Sequence, residues 1–167
     1  LGMIGSADII GAAITGIFWL SIAIFLEVEE YGEIHYFIGI AGVVFVFALF
    51  GTQHVITVYS AKKINVVSTL FFLSILTSLG VALIVFTFYN QIDISFLLIG
   101  YTINELALGY LIGKKLFSNY LKYVLTQRTL TFILGFGFYF IFGAEGIIFA
   151  LALSYIHFSL LVYKGLK

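Results

Sequence analysis

Residues 26–63 read LEVEEYGEIHYFIGIAGVVFVFALFGTQHVITVYSAKK, a long apolar run held between a cluster of carboxylates and a pair of lysines. Glu27, Glu29, Glu30 and Glu33 are four of the chain's eight acidic groups, with no Lys or Arg among them, and Lys62-Lys63 closes the other end. Transmembrane strands are about 9–11 residues of alternating polarity. This run is longer and apolar on every side, so it predicts a helix that crosses a bilayer.

The composition agrees. Of 167 residues, 62% are hydrophobic and 10% charged, against about 45–50% and 25% in soluble domains. Eight basic and eight acidic side chains are too few to clothe a soluble surface. The net charge is zero and the longest basic runs are the pairs Lys62-Lys63 and Lys114-Lys115, which argues against nucleic acid as a partner. With no cysteine there is no disulfide, thiolate metal site or thiol nucleophile. The chain carries no H-E-x-x-H spacing, no Walker loop and no G-x-S-x-G turn. No catalytic residue, metal site or organic cofactor is expected, and the chain is read as a non-enzyme. Met3–Leu26 is too long for a signal-peptide core and lacks a basic flank. Position 1 is Leu, so a trimmed start is expected.

Polar clusters divide the chain into six apolar runs at about 3–26, 34–61, 65–89, 92–113, 120–142 and 146–163, each near the length a spanning helix needs. An all-α, polytopic membrane protein follows. Lys62, Lys63, Lys114, Lys115, Lys122, Lys164 and Lys167 all fall at even-to-odd junctions or at the end, whereas the odd-to-even junctions carry only Glu and Asp. The positive-inside rule then places both termini of this segment in the cytoplasm and the EVEEYGE turn outside, in the cell membrane. The last carboxylate of that turn favours the N-terminus of the next helix.

Polar groups within the spans are the candidate functional residues, because charge in hydrocarbon is costly and survives mainly where it faces a bundle interior or a watery cavity. Asn104-Glu105 lies near the middle of span four, Arg128 inside span five, Gln53-His54 in the inner half of span two, and Asp8 opens span one. Each has a plainer reading. Glu105 and Arg128 reach similar depths and would neutralise each other as a structural pair; Asp8 would serve as an interfacial cap; His54 would bond between helices. His35 and His157 are read as structural. Gly109 and Gly113 form G-x-x-x-G in span four, a close-packing surface within the bundle or between chains. With no proline, any kink must come from Gly or Ser/Thr, for instance near Gly135 and Gly137. The tyrosines near span ends suit the membrane interface.

Three segments, LEVEEYGEIHYF at 26–37, LFGTQHVITVYSAKK at 49–63 and FGAEGIIFALALS at 142–154, occur in an order that resembles the polysaccharide-export branch of the multidrug/oligosaccharidyl-lipid/polysaccharide flippase superfamily. The residues that carry the resemblance are Glu29, Glu30, Tyr31 and Gly32 in the first, Gly51 in the second, and Gly143, Gly146 and Ala150 in the third. Glu27-Val28 departs from the family's usual Gly-Pro, and Gln53 and His54 stand where many relatives carry a cation. The resemblance implies a MATE-like transporter of two six-helix lobes, this chain being the N-terminal one and a fragment of a longer protein. It implies a lipid-linked sugar on a polyprenyl diphosphate as substrate, flipped to the external leaflet for cell-surface polysaccharide biosynthesis, with membrane lipids and the second lobe as partners. On that footing Arg128 and Lys122 would attract the diphosphate, and Gln53, His54 and Asn104 would meet sugar hydroxyls. Glu105 and Asp8 would take a coupling Na+ or H+. Two alternatives remain open, a multidrug/cation antiporter of the same superfamily and a non-transporting membrane assembly protein.

Overall fold

Apolar residues too dense for any soluble surface condense into helices, and a computed structural model shows how they pack. It describes residues 2–64, 66–159 and 163. The elements are α1 (Gly2–Ile22), α2 (Val28–Leu49), α3 (Thr52–Ala61), α4 (Val67–Tyr89), α5 (Ile92–Gly113), α6 (Phe117–Phe142) and α7 (Glu145–Ser154), followed by a 3-10 turn at Ile156–Phe158. No strand occurs among the described residues. Five of these helices (α1, α2, α4, α5 and α6) are long and apolar enough to cross a membrane. Leu20, Phe88 and Phe140 are 75%, 81% and 70% exposed, an outer surface that suits lipid and not water. The chain is a helical multi-pass membrane protein.

Helix α5 is the centre of the bundle. Its buried residues, among them Leu98, Thr102, Leu106, Gly109 and Gly113, lie on several sides of the helix, because α2, α3, α4, α6 and α7 all pack against it. α1 is peripheral, and its buried Ala7, Gly11, Phe18 and Ile22 form a narrow stripe facing α6. The ring of Phe18 lies over Gly135, so Gly135 makes room for an aromatic side chain within a helix that runs unbroken from Phe117 to Phe142. Paired contacts fix directions. Phe45 meets Tyr101 and Gln53 meets Gly109, so α2, α3 and α5 run the same way. Ser95 Oγ donates to the Ala82 carbonyl and Phe71 meets Tyr110, so α4 runs against them. All described lysines therefore gather at one end of the bundle, with Glu27, Glu29, Glu30, Glu33, Asp93 and Glu145 at the other.

Two boundaries differ from the sequence expectation. The run 34–61 is not one helix: Phe50 and Gly51 both take left-handed backbone, at φ 45° and 73°, and separate α2 from α3. A break inside a membrane must find partners for the carbonyls it frees. Thr77 Oγ1 donates to the Ala48 carbonyl at 2.8 Å and Thr52 Oγ1 to that of Leu49. In the last run, 146–163, α7 ends at Ser154, a 3-10 turn follows and Ser159 and Tyr163 are again helical, while residues 160–162 and 164–167, including Lys164 and Lys167, lie outside the described residues. The acidic stretch also differs. Only Glu27 precedes α2, as its N-cap, and its N–H donates to Glu30 Oε2 at 3.0 Å, while Glu29 and Glu30 lie in the first helical turn. Acidic groups there complement the positive end of the helix.

Candidate functional site

The break between α2 and α3 decides what faces α5. Beyond it, α3 lies on the glycine face of α5, where a Cβ on Gly109 would fall 2.9 Å from the Gln53 carbonyl oxygen and one on Gly113 2.5 Å from that of Thr57. The G-x-x-x-G pair is thus a packing surface within the chain. That contact brings Gln53 and His54 to the turn of α5 that carries Asn104 and Glu105. Asn104 Nδ2 donates to Glu105 Oε1 at 3.3 Å, the Gln53 side chain approaches the same carboxylate, and His54 lies within its electrostatic reach. Glu105, Asn104 and Gln53 are half-buried, His54 exposed. Four residues expected from sequence therefore form one cluster.

A further charged group is placed by α1 and α6. Gly11 has no side chain, and the stem of Arg128 occupies the space beside it, with Cγ 3.4 Å from where a Cβ would stand. Arg128 is half-buried; its Nε is closed off from solvent and has no acceptor. Among the described residues no ion pair forms, so Glu105 and Arg128 are not in direct contact. Asp8, which lies inside α1 past its first turn, does not cap that helix; its Oδ1 accepts from Tyr120 Oη of α6 at 2.9 Å. Lys122 is exposed, and six residues along a helix turn it about 240° from Arg128, so the structure does not bring the two together.

Three tyrosines link the halves. Tyr155 lies within electrostatic reach of Arg128 and Glu105, Tyr101 of Arg128 and Tyr155, and Tyr120 of Asp8, Glu105 and Arg128. Tyr101 packs edge-on to both Phe45 and Tyr155 with ring centroids 5.5 Å apart in each case. Sequence reasoning assigned tyrosines to the interface and missed these. Tyr101 stands four residues before Glu105, on the same helical face, and that spacing was a readable signal.

A second polar group also went unnoticed. Gln127 Nε2 donates to Thr131 Oγ1 at 2.9 Å and to Ser154 Oγ at 3.0 Å, with all three residues buried between α6 and α7. A search for charge alone passes over such an amide. His157 continues this seam, with Nδ1 3.0 Å from the Ser154 carbonyl and Nε2 3.1 Å from that of Tyr123, in keeping with a structural role. At the acidic end His35 packs on Trp19 at 4.4 Å and joins α2 to α1.

These groups comprise a guanidinium whose Nε has no acceptor, a carboxylate flanked by two amides, an exposed imidazole and phenol rings. Such donors suit a ligand with anionic oxygens and hydroxyls. Set against known proteins, the chain has no significant match to any protein-family model, curated protein or solved structure.

Proposed function

We propose that the chain is one lobe of an alternating-access transporter that moves lipid-linked oligosaccharide, carried on a polyprenyl diphosphate, from the cytoplasmic to the external leaflet of the cell membrane. The observation that supports it is Arg128: a guanidinium inside a span, with Nε buried and no acceptor, in a bundle that also holds the Gln53, His54, Asn104 and Glu105 cluster. An unpaired charge there is costly, by about 2.5–3.5 kcal/mol on insertion scales. A diphosphate that pairs bidentately with the guanidinium offsets that cost.

In this reading α2 and α3 count as one broken span, α7 begins a sixth, and the lysine end faces the cytoplasm. Gln53, His54 and Asn104 meet sugar hydroxyls, while Glu105 takes up and releases Na+ or H+ and so biases inward- and outward-facing states. Asp8, held by Tyr120, is a second acid for that ion. Lys122 adds only long-range attraction at the mouth. A second six-helix lobe completes the cavity, and rocking of one lobe against the other moves the cargo, as in repeat-built transporters.

The test is flipping by the purified protein in vesicles, followed with a fluorescent polyprenyl-diphosphate oligosaccharide that a membrane-impermeant quencher reaches only in the outer leaflet. Arg128→Ala is expected to weaken apparent affinity about tenfold to a hundredfold, the worth of a charged hydrogen bond, with Arg128→Lys between. Unchanged flipping in both Arg128→Ala and Glu105→Gln would sink the assignment. Competition by organic cations and not by sugar-diphosphates would favour the multidrug antiporter.

A further inference from the structure

Helices α3 and α5 end in the same way. At the end of α3, Lys63 N–H donates to the Ser60 carbonyl at 3.3 Å and Ile64 N–H to that of Tyr59 at 3.0 Å. At the end of α5, Lys115 N–H donates to the Ile112 carbonyl and Leu116 N–H to that of Leu111, each at 2.9 Å. Both are Schellman closures, in which the residue after the cap turns left-handed and an apolar residue follows. The left-handed residues are Lys63 at φ 56° and Lys115 at φ 58°. Glycine or asparagine fits that conformation with less strain. Two other helices follow that preference, α4 ending at Asn90 and α6 at Gly143, both at positive φ, whereas α2 ends at Phe50. At the lysine end it places a lysine in the strained position twice.

The two ends are also neighbours. A Cβ on Gly113 would lie 2.7 Å from Ser60 Cβ, so the last turns of α3 and α5 touch just before Lys62-Lys63 and Lys114-Lys115. All four lysines are exposed, and none forms an ion pair among the described residues. Lys114 folds back over the Tyr110 ring at 5.8 Å. Beside the charges, Ile64 and Leu116 are 40% and 42% exposed. A surface that combines clustered ammonium groups with exposed aliphatic side chains, at the end of the long apolar helix α5 and the short α3 packed on it, matches the join between a phosphate headgroup and its acyl chains.

We propose that the paired Lys-Lys ends of α3 and α5 form a binding site for the headgroup of an anionic phospholipid, with the acyl chains along Ile64 and Leu116. The strained backbone at Lys63 and Lys115 is retained because it directs two further charges to that headgroup. This site is separate from the Arg128 face and stands whatever cargo that face takes.

The test is native mass spectrometry of the delipidated protein in detergent, titrated with dioleoylphosphatidylglycerol or dioleoylphosphatidylcholine, alongside thermal unfolding without lipid. The double variant Lys63→Gly, Lys115→Gly is expected to bind phosphatidylglycerol roughly tenfold or more weakly, as removal of two basic groups near an anionic surface requires. Phosphatidylcholine binding stays as it was, and the lipid-free unfolding temperature holds or rises because glycine relieves the backbone. Lys63→Arg, Lys115→Arg keeps the preference. Three results would overturn the proposal: phosphatidylglycerol affinity within about twofold of the parent (under one tenfold step), an equal loss from Lys122→Gln on α6, which would mean diffuse charge, or complete displacement of the lipid by excess inorganic phosphate, which would mean a free-anion site.

Discussion

Thr57 Oγ1 donates to the carbonyl oxygen of Gly109 at 3.2 Å, across the seam where α3 lies against α5. One turn further on, a Cβ on Gly113 would fall 2.5 Å from the Thr57 carbonyl oxygen. Backbone meets backbone there, so no side-chain rotation can relieve the clash. Gly113→Ala is therefore expected to cost about 1–3 kcal/mol, the range for overpacked cores. Gly80→Ala, with open space at its Cβ, is expected to be neutral or slightly stabilising through helix propensity. Thermal unfolding in detergent separates the two, and a tolerated Gly113→Ala would mean that α3 and α5 do not meet backbone to backbone at this seam.

The bond from Tyr120 Oη to Asp8 Oδ1, 2.9 Å long, ties α6 to α1 at the lysine end. Asp8 is exposed, so water competes for it and the bond is worth about 0.5–1.5 kcal/mol. Tyr120→Phe and Asp8→Asn are each expected to lower stability by about that amount or less. The double variant is expected to lose less than their sum, because the second change removes a partner already lost. A double-mutant cycle by chemical denaturation in mild detergent reads this directly, and strict additivity would show the contact to be incidental.

A larger effect is expected where water cannot substitute. Gln127, Thr131 and Ser154 are 3%, 3% and 0% exposed and bond to one another between α6 and α7. Ser154→Ala leaves the Gln127 amide and the Thr131 hydroxyl short of a buried partner, at about 1–3 kcal/mol. Gln127→Met, Thr131→Val and Ser154→Ala together remove the unmet groups and are expected to recover most of that loss. Unfolding midpoints of the single and triple variants decide it; a triple variant worse than the single would mean the network is needed for its polarity.

The apolar runs and the sorting of charge to two ends were legible because both are one-dimensional: a bilayer asks for about 20 apolar residues per helix, and charges can only collect between them. The span 92–113 matches α5 to the residue, since Asn90-Gln91 and Lys114-Lys115 bound it on either side. The clustering of Gln53 and His54 with Asn104 and Glu105 was legible only as four polar residues in two spans; their meeting depends on Gly109 and Gly113 letting α3 approach. The lack of an acceptor for Arg128 Nε was hidden for a physical reason. Depth along a span can be counted, whereas rotation about the helix axis is set by packing, here by Gly11 accepting the arginine stem. The break at Phe50-Gly51 was hidden because a single glycine in an apolar run does not require one, and the carbonyls it frees are met by Thr77 from another helix.

That break yields a test in which two adjacent substitutions act with opposite sign. Phe50 is left-handed at φ 45° and 80% exposed, so its ring contributes little packing while its Cβ strains the backbone. Phe50→Gly is expected to be neutral or stabilising by up to about 1 kcal/mol. Gly51, at φ 73°, already occupies the conformation that suits glycine, and Gly51→Ala is expected to cost about 1–2 kcal/mol even though nothing lies near its Cβ. Thr77→Val adds an independent check, because it removes the hydroxyl that satisfies the Ala48 carbonyl, a loss of about 0.6 kcal/mol on the scale of hydrogen bonds inside membrane proteins. If residues 50 and 51 were instead part of one continuous helix, glycine at position 50 would destabilise, alanine at position 51 would stabilise, and Thr77→Val would be silent. The sign of the difference between Phe50→Gly and Gly51→Ala in thermal unfolding therefore decides whether α2 and α3 are two helices, and with them whether Gln53 is held against Glu105.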